Sequence, residues 1–83
     1  MTQGVYVNYR RPPTKKALRE AVADDPSTVS LEATSMFGNE YDGSLAEAST
    51  TQRFTVVGPD PYNKRNWYAN IIYDQKKEAW VVK

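Results

Sequence analysis

Apolar and polar positions alternate over several short stretches of this chain and follow a helical period over one. Between residues 5 and 10, Val5, Val7 and Tyr9 share one face and Tyr6, Asn8 and Arg10 the other, the period of a strand. Pro12 and Pro13 close it, since neither donates to a ladder. Thr14 then occupies an N-cap position. Ala17, Leu18, Ala21 and Val22 form a narrow stripe, which predicts a helix of about three turns over 14–24. Asp24, Asp25 and Pro26 stop it, because the residue before a proline is pushed out of the α region.

Alternation resumes over 28–34, with Val29, Leu31 and Ala33 inward. Residues 35–43, with two glycines, read as an ordered irregular loop. Met36, Phe37 and Tyr41 in and beside it are expected to cap the core. Ser44 and Glu47 have capping-box spacing over a short turn. A third strand is predicted over 53–57 and a turn at Gly58-Pro59-Asp60-Pro61. The fourth strand, 67–73, puts Trp67, Ala69, Ile71 and Tyr73 on one face; a polar turn over 74–77 leads to the last, 78–82.

The order β-α-β-(irregular)-β-β-β predicts a single α+β domain, one helix packed on a four- to five-stranded mainly antiparallel sheet. The last three strands would form a meander, and a small SH3- or OB-like barrel is the alternative. Leu18, Val22, Val29, Leu31, Phe54, Val56, Ile71 and Trp80 are the expected core. Val57 competes with Val56 for burial, so the third strand could slip by one residue.

Composition narrows the function. At 83 residues, apolar burial and the cost of ordering the chain nearly cancel, so a partner or a weak homodimer would help. The C-terminal AWVVK, a candidate edge strand, is the expected dimer contact. The chain has no Cys and no His, which excludes disulfides and thiolate metal sites and removes the commonest general base. Glu40 and Asp42 could serve as paired carboxylates, and with Asn39 they weakly resemble a calcium loop. Turns, however, are commonly acidic for solvation, and the ligand series of an EF-hand is missing. No enzyme and no cofactor is expected. A net charge of +1 offers no global field toward DNA or membranes. The N-terminal stretch has no apolar region followed by a cleavage pattern, and no apolar run approaches bilayer length, so a cytoplasmic location and no membrane contact are expected.

Two stretches remain as candidate binding surfaces. Arg10, Arg11, Lys15, Lys16 and Arg19 straddle the start of the helix, with both lysines in its first turn and Asp24 and Asp25 at its end. Both placements oppose the helix dipole. They read either as a surface for an anionic partner or as a solvated face with a weak Lys16–Glu20 pair. The second stretch is Pro59-Asp60-Pro61-Tyr62-Asn63-Lys64-Arg65-Asn66-Trp67-Tyr68. Its prolines stiffen it, and Tyr, Trp and Arg are the types that carry interface energy. Tyr62, Lys64, Arg65 and Tyr68 are therefore candidate contacts, with Trp67 assigned to the core. Interleaved aromatic and basic residues also suit single-stranded nucleic acid, although the low net charge argues against a large phosphate footprint.

LEATSMFGNEYDG, FTVVGPDPYNKRNWYANI and the preceding RRPPTKKALREAVAD together resemble small proteins of unknown function encoded by phages of mycobacteria and related actinobacteria. The resemblance implies a phage-encoded intracellular protein acting on a host component. It brings no fold, substrate or functional residue with it. The expectation is a non-enzymatic protein that binds a host protein, with nucleic-acid binding as the alternative.

Overall fold

A computed structural model describes residues 2–34 and 41–83 of the chain. The fold is α+β, with one helix and two three-stranded antiparallel sheets. The first sheet contains β1 (Gly4–Val7), β2 (Val29–Glu32) and β3 (Gly43–Ser44), in that order. The second is the expected meander of β4 (Phe54–Asp60), β5 (Lys64–Asp74) and β6 (Ala79–Val82). This corrects the expectation of one four- to five-stranded sheet.

A missing donor explains the division. Gln3 starts a parallel ladder on β4: its N–H donates to the Thr55 carbonyl (2.8 Å) and its carbonyl accepts from Val57 N–H (3.0 Å). The next donor along β4 would belong to Pro59, which has none. The ladder therefore stops after one bridge, while the opposite edge of β1 pairs with β2, Val5 opposite Leu31 and Val7 opposite Val29.

The helix α1 (Lys15–Asp24) forms where predicted, and Thr14 Oγ1 caps it by accepting from Ala17 N–H (3.1 Å). Leu18 and Val22 are buried, in one cluster with Val5, Val29, Leu31, Phe54, Val56, Ile71, Trp80 and Val82. All the residues expected in the core are there. Tyr41, Phe54, Trp80 and Tyr73 form a chain of aromatic contacts with centroids 5.7, 5.9 and 5.4 Å apart, the first two tilted and the Trp80–Tyr73 contact edge to face. Tyr41 packs against the core as expected, and its carbonyl accepts from Nε2 of the buried Gln3 (2.6 Å). Met36, Phe37, Asn39 and Glu40 lie outside the described residues.

Several boundaries differ from expectation. The first strand ends at Val7, not at the prolines, because Asn8 (φ 52°) and Tyr9 (φ 66°) make a two-residue turn. Val7 and Arg10 exchange both backbone hydrogen bonds across it (2.7 and 3.0 Å). Two consecutive positive φ values are what such a tight hairpin turn needs. Tyr9, expected inward, is instead 93 % exposed. The third strand runs on through Gly58, Pro59 and Asp60, with a register shift at Gly58/Pro59, and the turn falls at 61–63. Val56 and Val57 are both fully buried, so no choice between them is made; only Val56 belongs to the main cluster. Ser44 caps the short turn Leu45–Glu47 through Ala46 N–H (3.3 Å).

Candidate partner-binding site

The β4–β5 hairpin presents most of the second candidate stretch at its tip. Asp60 organises the turn: one carboxylate oxygen accepts from Tyr62 N–H (2.9 Å) and the other from Asn63 Nδ2 (3.1 Å). These bonds, the Tyr62 backbone first and the Asn63 amide second, hold the Asp60 carboxyl below its ordinary value of 3.8. A depressed pKa means the ionised form is favoured by the fold. The contribution of Asp60 is complete above the ordinary carboxylate pKa and fades as the pH falls through the lower folded value. Proton-coupled NMR of the Asp60 carboxyl should show a midpoint below 3.8, with the Tyr62 amide losing protection on the same curve.

Across the turn, Arg65 Nε donates to the Pro61 carbonyl (2.7 Å), which folds this guanidinium back on the tip. Pro61 itself is fully buried. Tyr62 beside it is 60 % exposed, and Tyr68 farther along β5 is 55 % exposed. Lys64, Asn66 and Tyr68 are all exposed, but the register shift at Gly58/Pro59 interrupts the alternation of β5 between Arg65 and Trp67, so they form no single row; Tyr68 stands on the outer face. Trp67 takes the opposite face and packs on the core, over Gly58, as assigned from the sequence.

The basic cluster does not act as one surface. Arg11 pairs with Glu32, Nη2 to Oε1 at 2.7 Å, in the single ion pair among the described residues. Its guanidinium lies 4.0 Å from the centroid of the Tyr6 ring, and Tyr6 OH leans on the other Glu32 oxygen (3.4 Å). A side chain at Gly4 would collide with Arg11 Nη1, Glu32 Oε1 and Pro61 Cγ at once (2.8, 2.8 and 2.9 Å). The glycine is therefore the floor on which the ion pair meets the hairpin tip. Arg11→Ala strands the half-buried Glu32 and removes the cation–π contact, and should cost about 1–2 kcal/mol in chemical denaturation.

Lys15, Lys16 and Arg19 lie on α1, which packs on the inner face of the β4–β5–β6 sheet through Leu18 and Val22. Tyr68 points from the opposite face. The helix lysines and the exposed Tyr68 thus sit on different sides of the molecule. The Lys16–Glu20 pair does not form, so the lysines gain no ion-pair return for facing the positive end of the dipole. Asp25 at the other end has a local reason for its place: its carboxylate accepts from Ser27 Oγ (2.7 Å) and Ser27 N–H (3.0 Å), capping the turn Pro26–Thr28. Its pKa is lowered by those bonds, the hydroxyl first. Replacing Lys15 and Lys16 together by Glu should raise stability by roughly 0.5–1 kcal/mol, read as a thermal midpoint a few degrees higher.

One feature escaped the sequence. Tyr9, on its positive-φ turn, borders an open groove of about 470 Å³ with Tyr6, Ser30, Glu32 and Asp42 along its walls. Glu32 belongs to both the groove and the Arg11 pair, so the groove adjoins the hairpin tip. The only local signal was Asn8, a residue that tolerates the left-handed region. Among the described residues no three metal-ligating side chains come together, and no helix is long and apolar enough to cross a membrane. No family model, curated protein or solved structure matches the chain.

Proposed function

We propose that this chain is a non-enzymatic interaction protein, phage-encoded and active in the host cytoplasm, which binds a host protein through the β4–β5 hairpin tip and modulates it. The observation that carries the reading is the tip itself. Tyr62 and a pinned arginine are mounted on a turn ordered by Asp60 and anchored by the buried Pro61, and a second exposed tyrosine, Tyr68, stands farther along β5. A partner meeting such a surface gains large aromatic area with little further loss of chain entropy. The Arg11–Glu32 pair buttresses the tip from below, and Tyr9 extends the aromatic surface beyond it. The phage origin rests on the resemblance of the sequence segments.

Nucleic-acid binding is the weaker alternative. A stacking platform for single strands needs cations running alongside the aromatics. Here Arg11 is spent on Glu32, and Lys15, Lys16 and Arg19 lie on the far side of the sheet from Tyr68. Lys64 and Arg65, with Arg10 beside Tyr9, are the cations that accompany the tyrosines, which makes a small phosphate footprint. Affinity capture from mycobacterial cytoplasm, with and without nuclease, separates the two. A protein retained after nuclease treatment, with affinity only weakly dependent on salt, supports the proposal. Loss of all retained protein on nuclease treatment would favour the alternative.

A further inference from the structure

The outer edge of the second sheet offers a second binding mode, independent of the hairpin tip. β6 ends the strand order β4-β5-β6. Asn70 and Lys83 exchange both backbone hydrogen bonds at its far end (2.9 and 2.8 Å). Antiparallel alternation then makes Ile72–Val81 and Asp74–Ala79 the next hydrogen-bonded pairs. Trp80 and Val82, lying between them, direct their N–H and C=O groups away from β5. Among the described residues no strand pairs with that side. Among the described residues the Val82 carbonyl alone is engaged there, by Arg19 Nε at a long 3.5 Å.

Beside this edge a groove of about 220 Å³ runs between α1 and β6, lined by Arg19, Val22, Ala23, Lys77, Trp80 and Val82. Its middle is apolar and its two ends are cationic. Arg19 sits at the Val82 end, and Lys77 precedes β6 at the other. Neither forms an ion pair among the described residues. A four-residue strand separates the ends, about 13 Å of extended chain.

We propose that this groove takes an extended acidic peptide segment of a partner protein by strand addition to β6. The backbone of the segment pairs with Trp80 and Val82, a carboxylate at each end meets Arg19 and Lys77, and an apolar side chain on the same face rests against Val22 and Ala23. Arg19 exchanges its long bond to Val82 for a charged one. The same cations disfavour a second copy of β6 as occupant. That strand is followed by Lys83 and preceded by Lys76 and Lys77, with Glu78 alone opposing them.

The test is a titration of isotope-labelled protein, followed by NMR, with the blocked peptide Glu-Thr-Val-Thr-Glu, whose two carboxylates and valine share one face of a strand with the carboxylates about 13 Å apart. The Trp80 and Val82 amides should shift and exchange more slowly. The peptide with Lys in place of both Glu, and the variant Arg19→Glu with Lys77→Glu, should each bind at least about tenfold more weakly. Val82→Pro removes an outward N–H and leaves the bonds to β5 in place; because Val82 also packs in the core, it is compared with Val82→Ala, which trims the same side chain and keeps the N–H, and Pro should weaken binding well beyond Ala. Absence of shifts at about 1 mM peptide, shifts confined to other residues, or equal binding of the Lys peptide overturns the proposal. So does edge protection that depends on protein concentration alone, which would show β6 pairing with itself.

Discussion

Gly58→Ala is expected to destabilise the protein by about 3 kcal/mol, a large fraction of the roughly 4–12 kcal/mol that a domain of this size has. A Cβ at position 58 would fall on Cζ2 of Trp67 and lie 2.6 Å from Cε2 and 3.0 Å from Cη2. The restriction is one of space, since Gly58 has no positive φ. Trp67 has little room to yield, because its ring packs against the core. Removing the ring should relieve the collision. In urea denaturation, Gly58→Ala added to Trp67→Leu should therefore cost less than about 1 kcal/mol, a coupling of roughly 2 kcal/mol between the sites. Additive costs would mean that the strand, and not the indole, excludes the methyl group.

The pair also shows why parts of this fold were legible in the sequence and others were not. Period-2 alternation placed Trp67, Ala69 and Ile71 on one face, and the helical stripe placed Leu18 and Val22; all of them pack in or against the core. Those patterns are local, and burial of one face enforces them. The division into two sheets depends on Gln3 meeting β4 from more than fifty residues away in sequence and on the donor that Pro59 lacks. No local pattern encodes that meeting. Reading Gly58-Pro59-Asp60-Pro61 as a turn followed the ordinary meaning of Gly and Pro, yet β4 tolerates both by shifting register and by leaving Pro59 at the end of the parallel ladder.

The candidate site divides along the same line. Tyr62, Lys64, Arg65 and Tyr68 were legible because they are neighbours in sequence and remain neighbours on one hairpin. Arg11 was grouped with the helix cations by proximity in the chain. Its partner Glu32 is 21 residues away, and only the pairing of β1 with β2, Gly4 opposite Glu32, brings them together. Tyr9 was assigned inward because alternation was carried through a turn that contains no glycine. Asn8 makes that turn accessible, and the tyrosine is left fully displayed.

The largest effect on binding is expected from Tyr62→Ala combined with Tyr68→Ala, about 3 kcal/mol or roughly 150-fold in affinity. Both side chains are more than half exposed, so the protein itself gives up little packing when they are cut. The turn beneath Tyr62 rests on its backbone N–H and on Asp60, and these survive truncation of the ring. The loss should therefore appear in the dissociation rate, with the fold and its thermal midpoint unchanged. Lys15→Glu with Lys16→Glu is the matched control on the other side of the sheet, and should alter affinity by less than about threefold.

Titration of the captured partner with the Tyr62→Ala, Tyr68→Ala protein, at physiological ionic strength and after nuclease treatment, tests recognition by the hairpin tip most directly. A dissociation constant weakened by roughly 150-fold in a chain with native circular dichroism is the predicted result. Wild-type affinity in that same folded variant would contradict it and reduce the β4–β5 tip to a connection between two strands.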